Sequence, residues 1–416
     1  MKNVKLGITS FYFMIATVLM CQEVVWKVED GWVVNVNDRF FAIGMYGIPG
    51  YSLNKMDVRV ESRRNPQNRY YFDRYTSYFN TMYIQSGYFK PYMSNKTFII
   101  GTSEFPYWLK KKYNLNSDNL NSYYFMNKLE TESKNGNIDN ILNQIISKTE
   151  NAHPKNNNII WSPFDEVASG FNGWAWPTEL TEKIYSLIKK KNKNNLVFLN
   201  LLGGGVGNSY LLKQLYKEQN KKLPLNPPFK EQCIKFKNPN LRDLHVDYKG
   251  NSIYDLTKSN RTLKQLNSKE YENVWFQNVR KTASGYKNSA DIFGFNSYKS
   301  FFDNPLLAGI TVDAIRAGVG NEAPIWIFFD GNGHAKPRNV SFEAYAESIK
   351  AQIYLSLIHG ATGVLFWNSN EKQPEQFEHI MPILDELKYY SEILKNKTID
   401  SKLDDQIQFA LKQNDK

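Results

Sequence analysis

Cysteine is nearly missing from this chain of 416 residues, with Cys21 and Cys233 the only two. Two cysteines make neither a disulfide framework nor a cysteine-based metal cluster. Histidine is almost as scarce. Its five copies are scattered, with no His-Glu-x-x-His and no paired ligand spacing, so neither a metal nor a cofactor is expected. No Gly-x-Gly-x-x-Gly follows the first strand-like segment, which argues against a doubly wound nucleotide-binding sheet. The run Gly203-Gly204-Gly205-Val206-Gly207 comes later in the chain and reads as a loop rather than a phosphate cradle. No Ser-His-Asp or Cys-His arrangement can be read from spacing. Beyond residue 21 no second long apolar run follows, so a soluble or surface-tethered mature protein is expected.

What the chain has in excess is aromatic and basic residues. Hydrophobic residues make up 42% of it, enough for a large core. Aromatics reach 15%, with 26 Tyr, 26 Phe and 9 Trp. Most of these belong in a core, but aromatic faces also stack on the apolar faces of sugar rings. The formal charge is +11, from 52 Lys and Arg against 41 Asp and Glu. That admits an acidic partner such as an anionic glycan, sulfated or uronic. The lysines are interspersed with asparagines, as in Lys189-Lys190-Lys191-Asn192-Lys193, which is how a solvated surface reads. No basic stripe interleaved with aromatics is present, so nucleic acid is not an expected partner.

The N-terminus reads as a targeting segment. Lys2 and Lys5 precede an apolar run from Leu6 to Met20, of signal-peptide length. Cys21 stands where that run ends, as in a bacterial lipoprotein signal whose cysteine is acylated. Met20 departs from the small residue usual there. A lipoprotein, simple secretion and a retained anchor all stay open. Each means an exported protein, secreted or at the cell surface or in the periplasm; in the lipoprotein case a lipid on Cys21 is its contact with the membrane.

After residue 23, short β-rich runs alternate with helix-like stretches, the pattern of parallel strands with crossover helices. A lead-in hairpin spans 24–39. Strands follow at 40–46, 81–85, 97–101, 158–163, 195–200, 291–296, 324–329 and 363–367. Helical spacing marks 138–149, 178–191, 268–287, 342–359 and 376–394, and Thr178-Glu179-Leu180-Thr181-Glu182 reads as a capping box. Eight such units are the count of an α/β (β/α)₈ TIM barrel. The expected organisation is a signal at 1–21, a barrel at 24–398 and a tail at 399–416. The tail carries one alternating stretch, 406–411. That stretch either pairs with the N-terminal hairpin or opens a further β module.

In such a barrel the site forms where strands end at their C-terminal side. The polar residues there are Tyr46, Gln85, Glu104, Asp165 with Glu166, Asn200, Asn296 with Tyr298, Asp330, and Trp367 with Asn368. Glu166 and Asp330 stand out as a pair of acids. Glycosidic cleavage needs one protonated carboxyl and one carboxylate, and their environments must differ. Burial under Trp161 or Trp174 together with the neighbouring charge of Asp165 would raise the pKa of Glu166. For Asp330 the plainer alternative is a turn aspartate capping Gly331-Asn332-Gly333. Trp174 and Trp176 offer an outer sugar platform, with a core role for one of them as the alternative.

The wording of four segments carries a resemblance: FFAIGMYGIPGY at the first strand, WSPFDE at the fourth, ADIFGFNSY at the sixth and IHGATGVLFWN at the eighth. Together they resemble the retaining, β-galactosidase-like superfamily of (β/α)₈ glycoside hydrolases, over roughly residues 30–395. In that family an Asn-Glu pair ends strand four and its Glu is the acid/base. Glu166 matches that Glu, and Asp165 replaces the Asn. The family nucleophile is a Glu ending strand seven, where this chain has the shorter Asp330. Tyr298 and Trp367 match aromatic residues beside the cleaved sugar. The resemblance thus implies a glycosidase acting on a poly- or oligosaccharide, with Glu166 as acid, Asp330 as nucleophile or base, and Asp165, Asn296 and Tyr298 holding hydroxyls. Tyr46 and Glu104 complete the expected substrate-binding set. The Asp330 departure leaves an inverting reaction open, with Glu104 or Glu371 as other carboxylates. It also leaves open a non-catalytic glycan-binding barrel and, third, a lyase acting on a uronic-acid glycan.

Overall fold

A computed structural model of the chain describes residues 26–35, 38–46, 77–85, 97–101, 122–152, 159–168, 175–203, 268–331, 333–367, 374–396, 398–403 and 408–412. Three short antiparallel strands come first: β1 (Trp26–Glu29), β2 (Trp32–Asn35) and β3 (Asp38–Phe40). Eight strands then close a parallel barrel: β4 (Ala42–Tyr46), β5 (Thr81–Gln85), β6 (Thr97–Gly101), β7 (Ile159–Ser162), β8 (Leu196–Gly203), β9 (Ile292–Asn296), β10 (Ile325–Asp330) and β11 (Gly363–Trp367). Helices α1 (Ser122–Lys134) and α2 (Asp139–Ala152) connect β6 to β7, and α3 (Thr178–Lys191) connects β7 to β8. Next come α4 (Ser268–Tyr286), α5 (Tyr298–Asp303), α6 (Leu306–Val319), α7 (Phe342–Ile358) and α8 (Pro374–Leu394). The connections after β4 and β5 lie outside the described residues, as do the expected signal segment and the excursion after Gly203. Among the described residues no helix is long and apolar enough to cross a membrane.

The barrel has two apolar layers, and strand alternation separates them. Ala42, Ile99, Ile160, Leu196, Phe198, Ile292, Trp326, Phe328 and Leu365 fill the interior. The alternate residues, such as Ile43, Met45, Trp161, Val197, Phe293, Ile327 and Phe329, pack with the helices outside. All six residues of β10 are therefore buried, as expected of a parallel strand covered on both faces. Large interior rings fit because glycines face them. A Cβ on Gly294 would lie 2.4 Å from the Phe198 ring, and one on Gly363 would lie 2.5 Å from the Trp326 ring. The N-terminal sheet plugs the opposite end from the strand C-termini. Trp26 meets Phe40 edge-on at 5.1 Å, and Phe40 lies 6.4 Å from Trp326.

Three expectations change. The capping box at α3 does not form: Pro177 is the N-cap, Thr178 Oγ1 donates to Glu179, and Thr181 Oγ1 donates to the Thr178 carbonyl. Proline offers no side-chain acceptor to the first turn, and its carbonyl accepts the Leu180 and Thr181 N–H groups instead. The tail stretch is not a lone strand. β12 (Thr398–Leu403) and β13 (Gln408–Lys412) pair antiparallel with each other. Helices α1, α5 and α6 also go beyond the expected set. α6 shows little polar-face contrast because Leu307, Ala308, Gly309, Thr311, Val312, Ala314 and Ile315 are all buried, leaving no clear stripe for periodicity to find.

Candidate active site

The interior register runs out of apolar residues at the C-terminal end of the strands. Tyr46, Ser162, Asn200, Asn296, Asp330 and Trp367 occupy that end, two residues beyond apolar or glycine positions of the same parity. Tyr83 stacks obliquely on Tyr46 at 4.5 Å, and its hydroxyl shares a 2.8 Å hydrogen bond with Ser162 Oγ. This layer floors the mouth of the barrel, at the C-terminal ends of its strands.

The acids over that floor are presented by a bulge. Trp161 pairs with Val197, and the chain rejoins β8 where the N–H groups of Val167 and Ala168 donate to the carbonyls of Asn200 and Leu201. The intervening residues must loop outward, which carries Asp165 and Glu166 over the mouth. Glu166 adopts φ of 48°, a left-handed conformation that costs a non-glycine residue energy and recurs at functional sites. Trp176 closes the loop from behind: its N–H donates to the Val167 carbonyl, and its ring lies 4.5 Å from Phe164. Trp176 is therefore core, not platform. Trp161 belongs to the outer layer and does not cover Glu166.

Two asparagines hold the two acids. Asn200 Nδ2 donates to Asp165 Oδ1 at 2.8 Å, and Asn296 Nδ2 donates to Glu166 Oε1 at 2.9 Å. The Asp165 pKa is pushed up to about 7, first by burial and then by the Glu166 charge, against the lowering effect of the Asn200 amide. Asp165 is surrounded by protein, but its side chain opens on the solvent of the mouth, so water screens part of that effect. Asp165, the neighbour of Glu166, is thus an acid with a raised pKa.

Beside Glu166, Tyr298 stacks on Trp367 with ring centroids 5.4 Å apart and planes within 9°. His334 meets Trp367 edge-on at 5.0 Å. Burial and the charges of Glu166, Asp330 and Asp165 raise the Tyr298 pKa, so its hydroxyl stays protonated. Asp330 is 2% exposed, and its Oδ2 accepts the Ala335 N–H at 2.7 Å and the Tyr345 hydroxyl at 2.9 Å. It therefore ties down the loop after β10, as the turn-capping alternative implies, while still acting on Tyr298.

The structure thus gathers Tyr46, Asp165, Glu166, Asn296, Tyr298, Asp330 and Trp367 at one end of the barrel. Glu104, Trp174 and Glu371 lie outside the described residues. The sequence reading gave Asn200 a place without a role, and it gave Tyr83, Ser162, His334 and Tyr345 neither. Inward parity was the available signal for Tyr83 and Ser162. Nothing local marks Tyr345, which reaches Asp330 from α7. Among the described residues no group of three metal-ligating side chains occurs.

No family model and no curated protein sequence matches the chain. Among solved structures it is similar to a chain from Bacteroides thetaiotaomicron, provisionally assigned as an α-L-fucosidase, at 9% identity and a TM-score of 0.41, covering 88% of this chain and 98% of that one. A β-1,4-D-mannanase from Cryptopygus antarcticus matches at 10% identity and a TM-score of 0.37, over 86% and 94%. An archaeal fructose 1,6-bisphosphate aldolase matches at 10% identity and a TM-score of 0.36, over 84% and 94%.

Proposed function

We propose that the chain is a glycoside hydrolase whose substrate is a poly- or oligosaccharide. One observation carries this reading: the Asp165–Glu166 pair, each member held by an asparagine, stands beside the stacked Tyr298–Trp367 rings at the C-terminal end of a parallel barrel. The aromatic pair offers an apolar surface to a sugar ring. Asp165, its pKa raised to about 7, keeps part of its proton near neutrality, which protonation of a leaving glycosidic oxygen requires. Asn296 orients the Glu166 carboxyl, and Asp330 is the second carboxylate, on the far side of strand β9 from the pair in the barrel order.

The test is hydrolysis of a panel of glycans by the intact chain, with Glu166→Gln and Asp330→Asn. Loss of turnover in Glu166→Gln by about 10²-fold or more, with binding kept, supports the reading. Turnover unchanged in that variant sinks it. The anomer first released reports retention or inversion. A non-catalytic glycan-binding barrel is the second reading, and the engagement of Asp330 Oδ2 by two donors favours it. Binding without turnover across the panel would establish it. The export reading rests on residues 1–21 alone. Its test is mass spectrometry of the mature N-terminus, where an acylated Cys21 marks the lipoprotein.

A further inference from the structure

We propose that His334 is a specificity-determining residue, hydrogen-bonding a ring hydroxyl of the sugar that lies against Tyr298 and Trp367. The inference rests on the glycan-active reading and adds to it the residue that reads the sugar's rim. It has two supports.

The first is a loop that holds one exposed ring in place. The chain after β10 is fastened on both sides of His334. The Gly331 N–H donates to the Trp367 carbonyl at 2.9 Å, the Ala335 N–H to Asp330 Oδ2 at 2.7 Å, and the Lys336 N–H to the Gly333 carbonyl at 3.1 Å. Gly333 takes φ of 70°, a left-handed conformation that glycine adopts at little cost. Lys336 sends its Nζ to the Val340 carbonyl at 2.6 Å and lies over the Phe342 ring at 4.6 Å. Within this fastened loop the His334 side chain stays exposed. A polar side chain on a fixed backbone has less freedom to lose on binding, which favours its use in recognition.

The second is the angle between rings. The His334 imidazole meets Trp367 at 5.0 Å with planes at 89°, whereas Tyr298 stacks on the same indole within 9°. A pyranose on an aromatic platform lies parallel to it with its C–H face down, and its equatorial hydroxyls project outward along its rim. A ring standing at right angles to the platform is oriented to meet that rim. Neutral imidazole carries one N–H donor and one acceptor, and a sugar hydroxyl is both as well. The place also fits the chemistry. Asn296 Nδ2 lies 2.9 Å from Glu166 Oε1 and 3.5 Å from Tyr298 Oη, so a sugar held at these rings has its bonds beside the acids.

The test titrates the intact chain with the methyl glycosides of glucose, galactose, mannose, xylose and fucose, followed by ligand-observed NMR. The monodeoxy analogues of whichever binds tightest come next. His334→Ala removes the ring, and His334→Phe keeps a ring against Trp367 but neither nitrogen; both are checked for folding by circular dichroism. The wild type should lose about three- to tenfold in affinity when one particular hydroxyl is absent. Both variants should lose a similar factor with the parent sugar and nothing more with that analogue, while losses at the other positions persist. His334→Gln, which retains a donor and an acceptor, should recover part of the preference. Wild-type binding by His334→Phe would reduce the imidazole to packing and overturn the proposal, as would equal weakening across every analogue. If none of the glycosides binds, the proposal falls together with the glycan-active reading. If glycan is bound or cleaved and His334 makes no difference, the proposal falls alone. The hydrolase reading is judged separately by turnover in Glu166→Gln.

Discussion

Replacing Gly294 by alanine should weaken both the barrel and the site. The added Cβ would lie 2.4 Å from Phe198 Cζ, 2.8 Å from Cε2 and 3.2 Å from the Trp326 carbonyl oxygen. The Phe198 ring has no room to swing. It is fully buried, stacked on Trp326 at 5.8 Å, and edge-on to Tyr83 and Phe328. Overpacking of this kind costs about 1–3 kcal/mol, offset by about 0.5–1 kcal/mol from removing a strand glycine. A net loss of about 1–2 kcal/mol should lower the melting temperature of a chain this long by roughly 1–2 °C. Asn200 stands two residues after Phe198, and Asn296 two after Gly294, so displaced strands would also loosen both acid-holding amides. The assay is thermal unfolding of Gly294→Ala, Phe198→Leu and the double variant. Removing the ring should relieve the clash, making the double variant more stable than the sum of the singles by about 1 kcal/mol. A neutral Gly294→Ala, or strict additivity, would refute the packing argument.

Glu166→Gln should lower the Asp165 pKa from about 7 by roughly one unit, as followed by carbon-detected NMR of the carboxyl; no change would leave burial as the sole cause. Asp165 also predicts a pH dependence of stability. Its folded pKa lies above the usual aspartate value of 3.8, so the folded state binds more protons between about 4 and 7. Its stabilising contribution is complete below that window and falls as pH rises through it. The difference in unfolding free energy between wild type and Asp165→Asn should therefore change across pH 4–7 and flatten above; a constant difference would contradict the shift. Tyr345→Phe removes the hydroxyl donating to buried Asp330 and should cost about 1.5–3 kcal/mol in denaturant unfolding, whereas a neutral result would mean that Ala335 N–H alone holds the carboxylate. Asp291→Ala removes the acceptor for Tyr185 Oη, Lys189 Nζ and the Val197 N–H, and should cost about 2–3 kcal/mol in the same assay; a loss below about 1 kcal/mol would count against a cooperative network there.

Sequence alone determined where the barrel strands run. Apolar runs covered on both faces, such as Ile325–Asp330 and Gly363–Trp367, can be little else between helix-like stretches. Because parallel strands present their C-terminal ends together, the strand-ending polar residues Tyr46, Asn200, Asn296, Asp330 and Trp367 could be assembled without coordinates. Only the tertiary structure decided which acid is perturbed and what each one touches. The Asp165–Glu166 bulge depends on where residues after β7 rejoin β8, a register that no local spacing encodes. The partners that tune the acids come from elsewhere in the chain: Asn200 from β8, Asn296 from β9, and Tyr345 from α7. Local chemistry chooses elements and their faces. Desolvation and hydrogen bonding at the site depend on distances between residues far apart in sequence, which exist only once the barrel closes.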